Sequence, residues 1–197
     1  MASFLADIAS LLPRSSPSVS PAPAVGSPAP SLPSGVEYGN SQGTVVAFVR
    51  HCGCPFAEKE IRLLGEVVKQ RPGVQVVVVQ HSADAETKAW WDRIGGPKLV
   101  PDVKLISDPE RNVYASFGVG ILPWSGLFTN EIVKPITNLK NEGIVNTETG
   151  SGSWRWQNSG GFVIDQSGIV RWSKIAAHAG DMCDYIEALK ALGSTEK

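Results

Sequence analysis

The chain has 197 residues, enough for one well-buried core and too few for a second independent domain to be expected. Hydrophobic residues make up 42% and charged residues 19%; a net charge of −1 and an isoelectric point near 6.3 leave no electrostatic footprint for nucleic acid or an anionic membrane surface. No apolar run approaches the roughly 20 residues that span a bilayer, and three cysteines, an odd number, make no disulfide framework, so a reducing, cytoplasmic compartment is expected.

Residues 1–34 read as a low-complexity tail and 35–197 as the folded domain. Phe4, Leu5, Ile8, Leu11 and Leu12 share helical spacing, a short amphipathic stretch that docks on the body or on a neighbouring subunit of a homodimer. It lacks the basic region of a secretory signal and is interrupted by Asp7; with Arg14 its lone cation, it does not resemble a mitochondrial presequence. From Pro13 to Ser34, Pro, Ser, Ala and Gly predominate. Such a composition buries too little apolar surface to offset ordering entropy, so the segment is expected to be extended or disordered and dispensable for the fold.

Beyond the tail the elements alternate in type. Thr44–Arg50 is continuously apolar up to its arginine and rich in β-branched residues, a buried strand. A helix from about Pro55 to Gln70 carries Phe56, Ile61, Leu64, Val67 and Val68 on one side, and Pro72-Gly73 ends it. Val74–Val79 is a second buried strand. Asp84 is placed to cap a helix of about 85–95 that Gly95-Gly96-Pro97 closes. Val103–Ile106 is a short strand, and Asp108-Pro109-Glu110 starts a short helix ending near Gly118. Residues 119–158 read as an irregular insertion. Gly161–Ile164 and Ile169–Trp172 flank the turn Asp165–Gly168, a hairpin signal, and an amphipathic helix of about 181–192 follows. Two βα units imply parallel pairing and the hairpin an antiparallel edge. The order predicts an α/β thioredoxin-like fold, a mixed sheet flanked by helices.

Cys54 stands out by position. It lies between a buried strand and a helix start, where unpaired N–H groups and the positive end of the helix dipole favour thiolate over thiol. Pro55 suits the first helical turn, where its missing N–H costs nothing.

Phe48-Val49-Arg50-His51-Cys52-Gly53-Cys54-Pro55-Phe56 resembles the active segment of the peroxiredoxin-like AhpC/TSA proteins, the group that includes selenoprotein U. Ser107-Asp108-Pro109-Glu110-Arg111, Tyr114, Gly118, Gly160–Asp165 and His178–Asp181 extend the likeness over about residues 40–192. The resemblance implies a thioredoxin-like fold and a thiol-dependent oxidoreductase. It also implies an external reductant such as glutathione or thioredoxin, and no bound cofactor. The chain departs from the pattern in four places. Ala57 stands where the second cysteine of a Cys-x-x-Cys pair would be. His51 replaces the Thr or Ser three residues before the peroxidatic cysteine. Ser159 stands near the position of an arginine that holds the thiolate, and Gly160 stands where thioredoxins carry a cis-proline, which would leave backbone room beside the sulfur.

Around Cys54 as nucleophile, Cys52 is a candidate resolving thiol or a small residue at the strand end. A Cys-Gly-Cys bridge would be strained. Arg50 offers a nearby cation and His51 a proton carrier. Phe56, Gly160, Trp124 and Trp156 are candidate substrate contacts, the tryptophans as an apolar wall, although tryptophans more often pack in a core. Cys183 reads as a half-buried helix cysteine. His81 and His178 are expected elsewhere, and no metal or nucleotide motif occurs. Two functions follow. One is thiol-dependent reduction of a peroxide or disulfide, recycled by Cys52 or an external thiol. The other is a non-redox enzyme or binding protein that holds an apolar metabolite with the tryptophan-bearing insertion.

Overall fold

The computed structural model describes residues 7–33, 35–127 and 132–193. Five strands form one mixed sheet in the order β3-β2-β1-β4-β5: β1 Thr44–Phe48, β2 Gln75–Gln80, β3 Lys104–Ser107, β4 Gly160–Ile164 and β5 Val170–Ile175. β1 pairs in parallel with β2 and β2 with β3, while β4 runs antiparallel to both β1 and β5. This is the thioredoxin-like α/β architecture. Alternation along β1 explains its unbroken apolar sequence. Val45, Ala47 and Val49 pack with the helix α1 (Pro55–Gln70), whereas Val46 and Phe48 pack on the opposite face with Tyr114, Phe117 and Phe162.

Between β2 and β3 lie α2 (Asp84–Arg93) and α3 (Gly96–Leu99); α4 (Asn112–Ser116) follows β3. Asp84 is the first helical residue of α2 rather than its cap, and Ala83 precedes it without a side-chain cap. Asp108 does the capping expected of such a residue at α4: its carboxylate accepts the N–H groups of Asn112, Val113 and Tyr114 at 3.0, 2.8 and 3.1 Å. The Tyr114 hydroxyl then lies 2.6 and 2.7 Å from the Val49 and Val79 carbonyls, tying the ends of β1 and β2 together.

Two expectations are corrected. The stretch 119–158 is not wholly irregular, for it contains α5 (Trp124–Leu127) and α6 (Val133–Asn141). The last helix α7 spans only Tyr185–Leu189 and passes into a 3-10 turn at Lys190–Leu192, because Asp181 is held in a preceding turn by Lys174 at 2.5 Å and by the Ala177 N–H at 2.9 Å. The Pro-rich tail, expected to be extended or disordered, is extended over the described residues. Its backbone pairs with the exposed edge of β5, and Leu32 is buried in the cluster of Val46, Phe48 and Tyr114. Gly26 N–H donates to Val170, Val170 N–H to Ser27 and Ala29 N–H to Gly168, at 2.8–2.9 Å. Of the amphipathic stretch, Phe4 and Leu5 lie outside the described residues, and Ile8, Leu11 and Leu12 are exposed.

Candidate active site

The loop from β1 to α1 is built around Gly53. Its φ of +92° is one that L side chains rarely adopt, and a Cβ there would meet the Glu148 carbonyl oxygen at 2.5 Å. The absent side chain lets the 147–148 backbone pack onto the loop, and the Thr147 N–H donates to the Gly53 carbonyl at 3.0 Å. Cys54 is the N-cap residue of α1, in extended conformation (φ −73°, ψ 125°), with Pro55 next and no capping side chain. The thiol thus occupies the position where a capping oxygen would meet the unpaired N–H groups of the first turn. The Cys54 carbonyl accepts the first helical bond, from Glu58 at 3.2 Å, and its N–H donates to His51 at 3.1 Å.

Cys54 is 5% exposed and lines a cavity of about 360 Å³ together with Arg50, His51 and Phe56. Ile132, Ile136, Ile144 and Val145, from α6 and the residues flanking it, give the cavity apolar surface, and Lys140 and Asn146 also line it. A larger hollow of about 470 Å³, between Pro72–Val76 and Val100–Lys104, holds neither cysteine nor histidine.

His51 is buried. Desolvation, assisted by the Arg50 guanidinium, holds its imidazole down at about 3, so it is neutral at physiological pH. Its Nδ1 lies 3.0 Å from the Cys52 carbonyl. Because a carbonyl only accepts, Nδ1 carries the proton and Nε2 is left as an acceptor. Arg50 is also buried, and its Nη1 and Nη2 donate to the Gln157 and Arg155 carbonyls at 3.2 and 2.7 Å. Its Nε is buried without a partner, and among the described residues no carboxylate pairs with it. A guanidinium held by neutral carbonyls keeps its full charge for the cavity.

The remaining candidates are not in the cavity lining. Cys52 is 1% exposed, accepts from Gln80 Nε2 at 2.9 Å and donates to the Glu86 carbonyl; burial pushes its thiol up to about 12. Gly160 does not open space beside the sulfur: a Cβ would meet the Lys174 carbonyl oxygen at 2.8 Å, so glycine here permits close pairing of β4 with β5. Trp156 is buried and packs edge-on to Trp124, centroids 4.4 Å apart, away from the cavity lining. Cys183 is buried, with its thiol pushed up by desolvation.

One residue that the sequence did not mark is Glu60. It is 1% exposed and accepts a long bond from the Cys183 N–H at 3.4 Å; burial raises its carboxyl to about 8, and a thiolate at Cys54 would raise it further. A carboxyl that is neutral at pH 7 does not repel a thiolate. In an amphipathic helix a glutamate reads as solvated surface, so only burial could reveal it.

The fold is shared with several solved structures. The peroxiredoxin-like protein from Aquifex aeolicus has a TM-score of 0.60 at 18% identity, covering 88% of each chain. A thiol peroxidase from Chromobacterium violaceum scores 0.59 at 14% identity over 89% of this chain and 90% of that one. Mycobacterium tuberculosis AhpC scores 0.54 at 14% identity over 87% and 92%. Comparison with curated proteins finds no sequence match. The sequence pattern of the AhpC/TSA family, however, matches residues 34–173 and takes in the whole loop that carries Cys54. The chain therefore belongs to the AhpC/TSA family and is a thiol-dependent peroxidase or oxidoreductase.

Proposed function

We propose that Cys54 reduces hydroperoxides carrying an apolar group and is returned to the thiol by an external thiol such as glutathione or thioredoxin. The observation that carries this reading is the placement of Cys54 as N-cap of α1 in an apolar cavity beside the guanidinium of Arg50. In the first step the Cys54 thiolate attacks the outer peroxide oxygen. The S–O bond forms as the O–O bond breaks, giving a sulfenic acid and an alcohol. His51 Nε2 is suited to accept a hydrogen bond from the hydroperoxide O–H and the Arg50 cation to offset charge on the departing oxygen, which becomes the alcohol by taking a proton from solvent. A first external thiol condenses with the sulfenic acid, releasing water and leaving a mixed disulfide. A second then attacks its own kind of sulfur and frees Cys54.

External recycling is favoured by the burial of Cys52 and Cys183, which leaves both protonated and poorly nucleophilic. The dependence on a thiol pool also favours the cytoplasm as the compartment. No prosthetic group enters these steps. The reading as a non-redox enzyme or binding protein draws on the departures at Ala57, Ser159 and Gly160 and places an apolar metabolite at the tryptophan-bearing insertion; neither Trp124 nor Trp156 is in the cavity lining.

Turnover of hydrogen peroxide and cumene hydroperoxide with a thiol reductant tests this proposal. Cys54→Ser is expected to abolish both reactions, since a serine hydroxyl stays protonated there. Cys52→Ser and Cys183→Ser are expected to keep turning over with the external thiol, with the lower KM for cumene hydroperoxide. Full activity in Cys54→Ser would move the chemistry to another group.

A further inference from the structure

Resting on the reading of Cys54 and Arg50 above, we infer that Asp7, Ser10 and Arg155 are positioning residues: the N-terminal segment is a strap that holds Arg50 at the cavity. The link runs through the short segment 154–157, which has the strap on one side and Arg50 on the other. On the strap side Arg155 is gripped three times: by the Asp7 carboxylate at Nη2 (2.8 Å), by the Ser10 hydroxyl at Nε (3.0 Å) and by the Ser10 carbonyl at its own N–H (3.0 Å). Trp154 and Trp156 donate their indole N–H groups to the Leu12 and Leu11 carbonyls at 2.9 and 3.0 Å, and the Thr149 N–H reaches Asp7 at 3.2 Å.

On the other side the carbonyls of Arg155 and Gln157 receive the two Nη groups of Arg50. Arg50 has no carboxylate partner among the described residues, so these two carbonyls are what fixes the direction of its guanidinium. Gln157 has an anchor of its own, since its Nε2 donates to the Val119 and Gly120 carbonyls. Apart from its Thr149 contact, Arg155 is held by the strap. Trp154 and Trp156 on either side are also held by the body, through His81 and the Leu122 N–H, so releasing the strap loosens the Arg155 carbonyl between them and lets the guanidinium turn, weakening its hold on negative charge at Cys54. The two indole N–H groups explain why tryptophans flank Arg155 without lining the cavity: they fasten a chain that has few apolar contacts to offer.

The test compares three full-length proteins: wild type, Asp7→Asn/Ser10→Ala and Asp7→Glu. It adds a chain lacking residues 2–14. Rates of Cys54 oxidation by cumene hydroperoxide are followed by intact mass across pH 5–9, and amide exchange at residues 9–12 reports release of the strap. The double variant and the shortened chain are expected to oxidise about tenfold more slowly at pH 6–7, with the rate profile displaced to higher pH and converging with wild type at the alkaline end. Asp7→Glu is expected to stay close to wild type. A merely structural strap would lower the melting temperature without moving the pH profile. A folded variant with a released strap but the wild-type profile overturns the inference. A wild-type Cys54 that resists oxidation altogether overturns the proposed function instead.

Discussion

At the scale of single residues, the site separates charge by burial and by choice of hydrogen-bond partner. Arg50 is held by neutral carbonyls, His51 is held neutral, and burial raises the carboxyl of Glu60. Glu60 gives this arrangement a pH signature. Its folded value of about 8 lies above the ordinary 4.5, so it contributes stability that is complete below about pH 4.5 and lost as pH rises through 8. His51 acts with the opposite sign: its value falls from 6.5 to about 3, so its contribution is present above pH 6.5 and lost on acidification towards 3. Between pH 6.5 and 8 Glu60 alone of the two changes the balance. Wild-type stability in urea is therefore expected to fall over that window, by up to about 1.4 kcal/mol per pH unit. Glu60→Gln is expected to remove the slope, and an unchanged slope in that variant would refute the assignment.

Among the elements, those with a strong period were legible in the sequence. The strand ending at Phe48 and the helix Pro55–Gln70 fall where the β-branched run and the spaced apolar residues put them, and the placement of Cys54 at their junction followed. Elements stabilised by contacts distant in sequence were not legible. α6 and its N-cap do carry Ile132, Ile136 and Leu139 at helical spacing, but the run is short and set among Gly-rich segments, so it reads as irregular; with the residues flanking it, it supplies the apolar wall of the site. The Pro-rich part of the tail carries no periodicity, and what holds it is backbone pairing along β5 and the burial of Leu32, which composition does not record. An uncovered strand edge is a surface for association. Deletion of residues 1–33 is accordingly expected to lower the thermal midpoint by several degrees while unfolding stays cooperative. It is also expected to produce concentration-dependent association in sedimentation. An unchanged midpoint and a strictly monomeric or unaltered assembly would show that the tail neither stabilises nor shields the edge.

Across the whole molecule, the sheet brings together parts of the chain that are far apart in sequence. The loop after β1 supplies the thiol, the imidazole and the guanidinium; the segment 132–146 supplies the apolar wall; residues 155–157 orient the guanidinium, and residues 7–12 hold those in turn. The sequence identified the first of these because its residues are adjacent. The others depend on packing that no local pattern encodes, which is why Trp156, expected at the substrate, instead donates to the Leu11 carbonyl of the N-terminal segment. The central claim is that Cys54 is the residue a hydroperoxide oxidises. The most direct measurement treats the reduced protein with one equivalent of cumene hydroperoxide in the presence of dimedone and locates the adduct by peptide mass spectrometry. One adduct on Cys54, with Cys52 and Cys183 unmodified, is the predicted result; an unlabelled Cys54, or label on either buried cysteine instead, would contradict it.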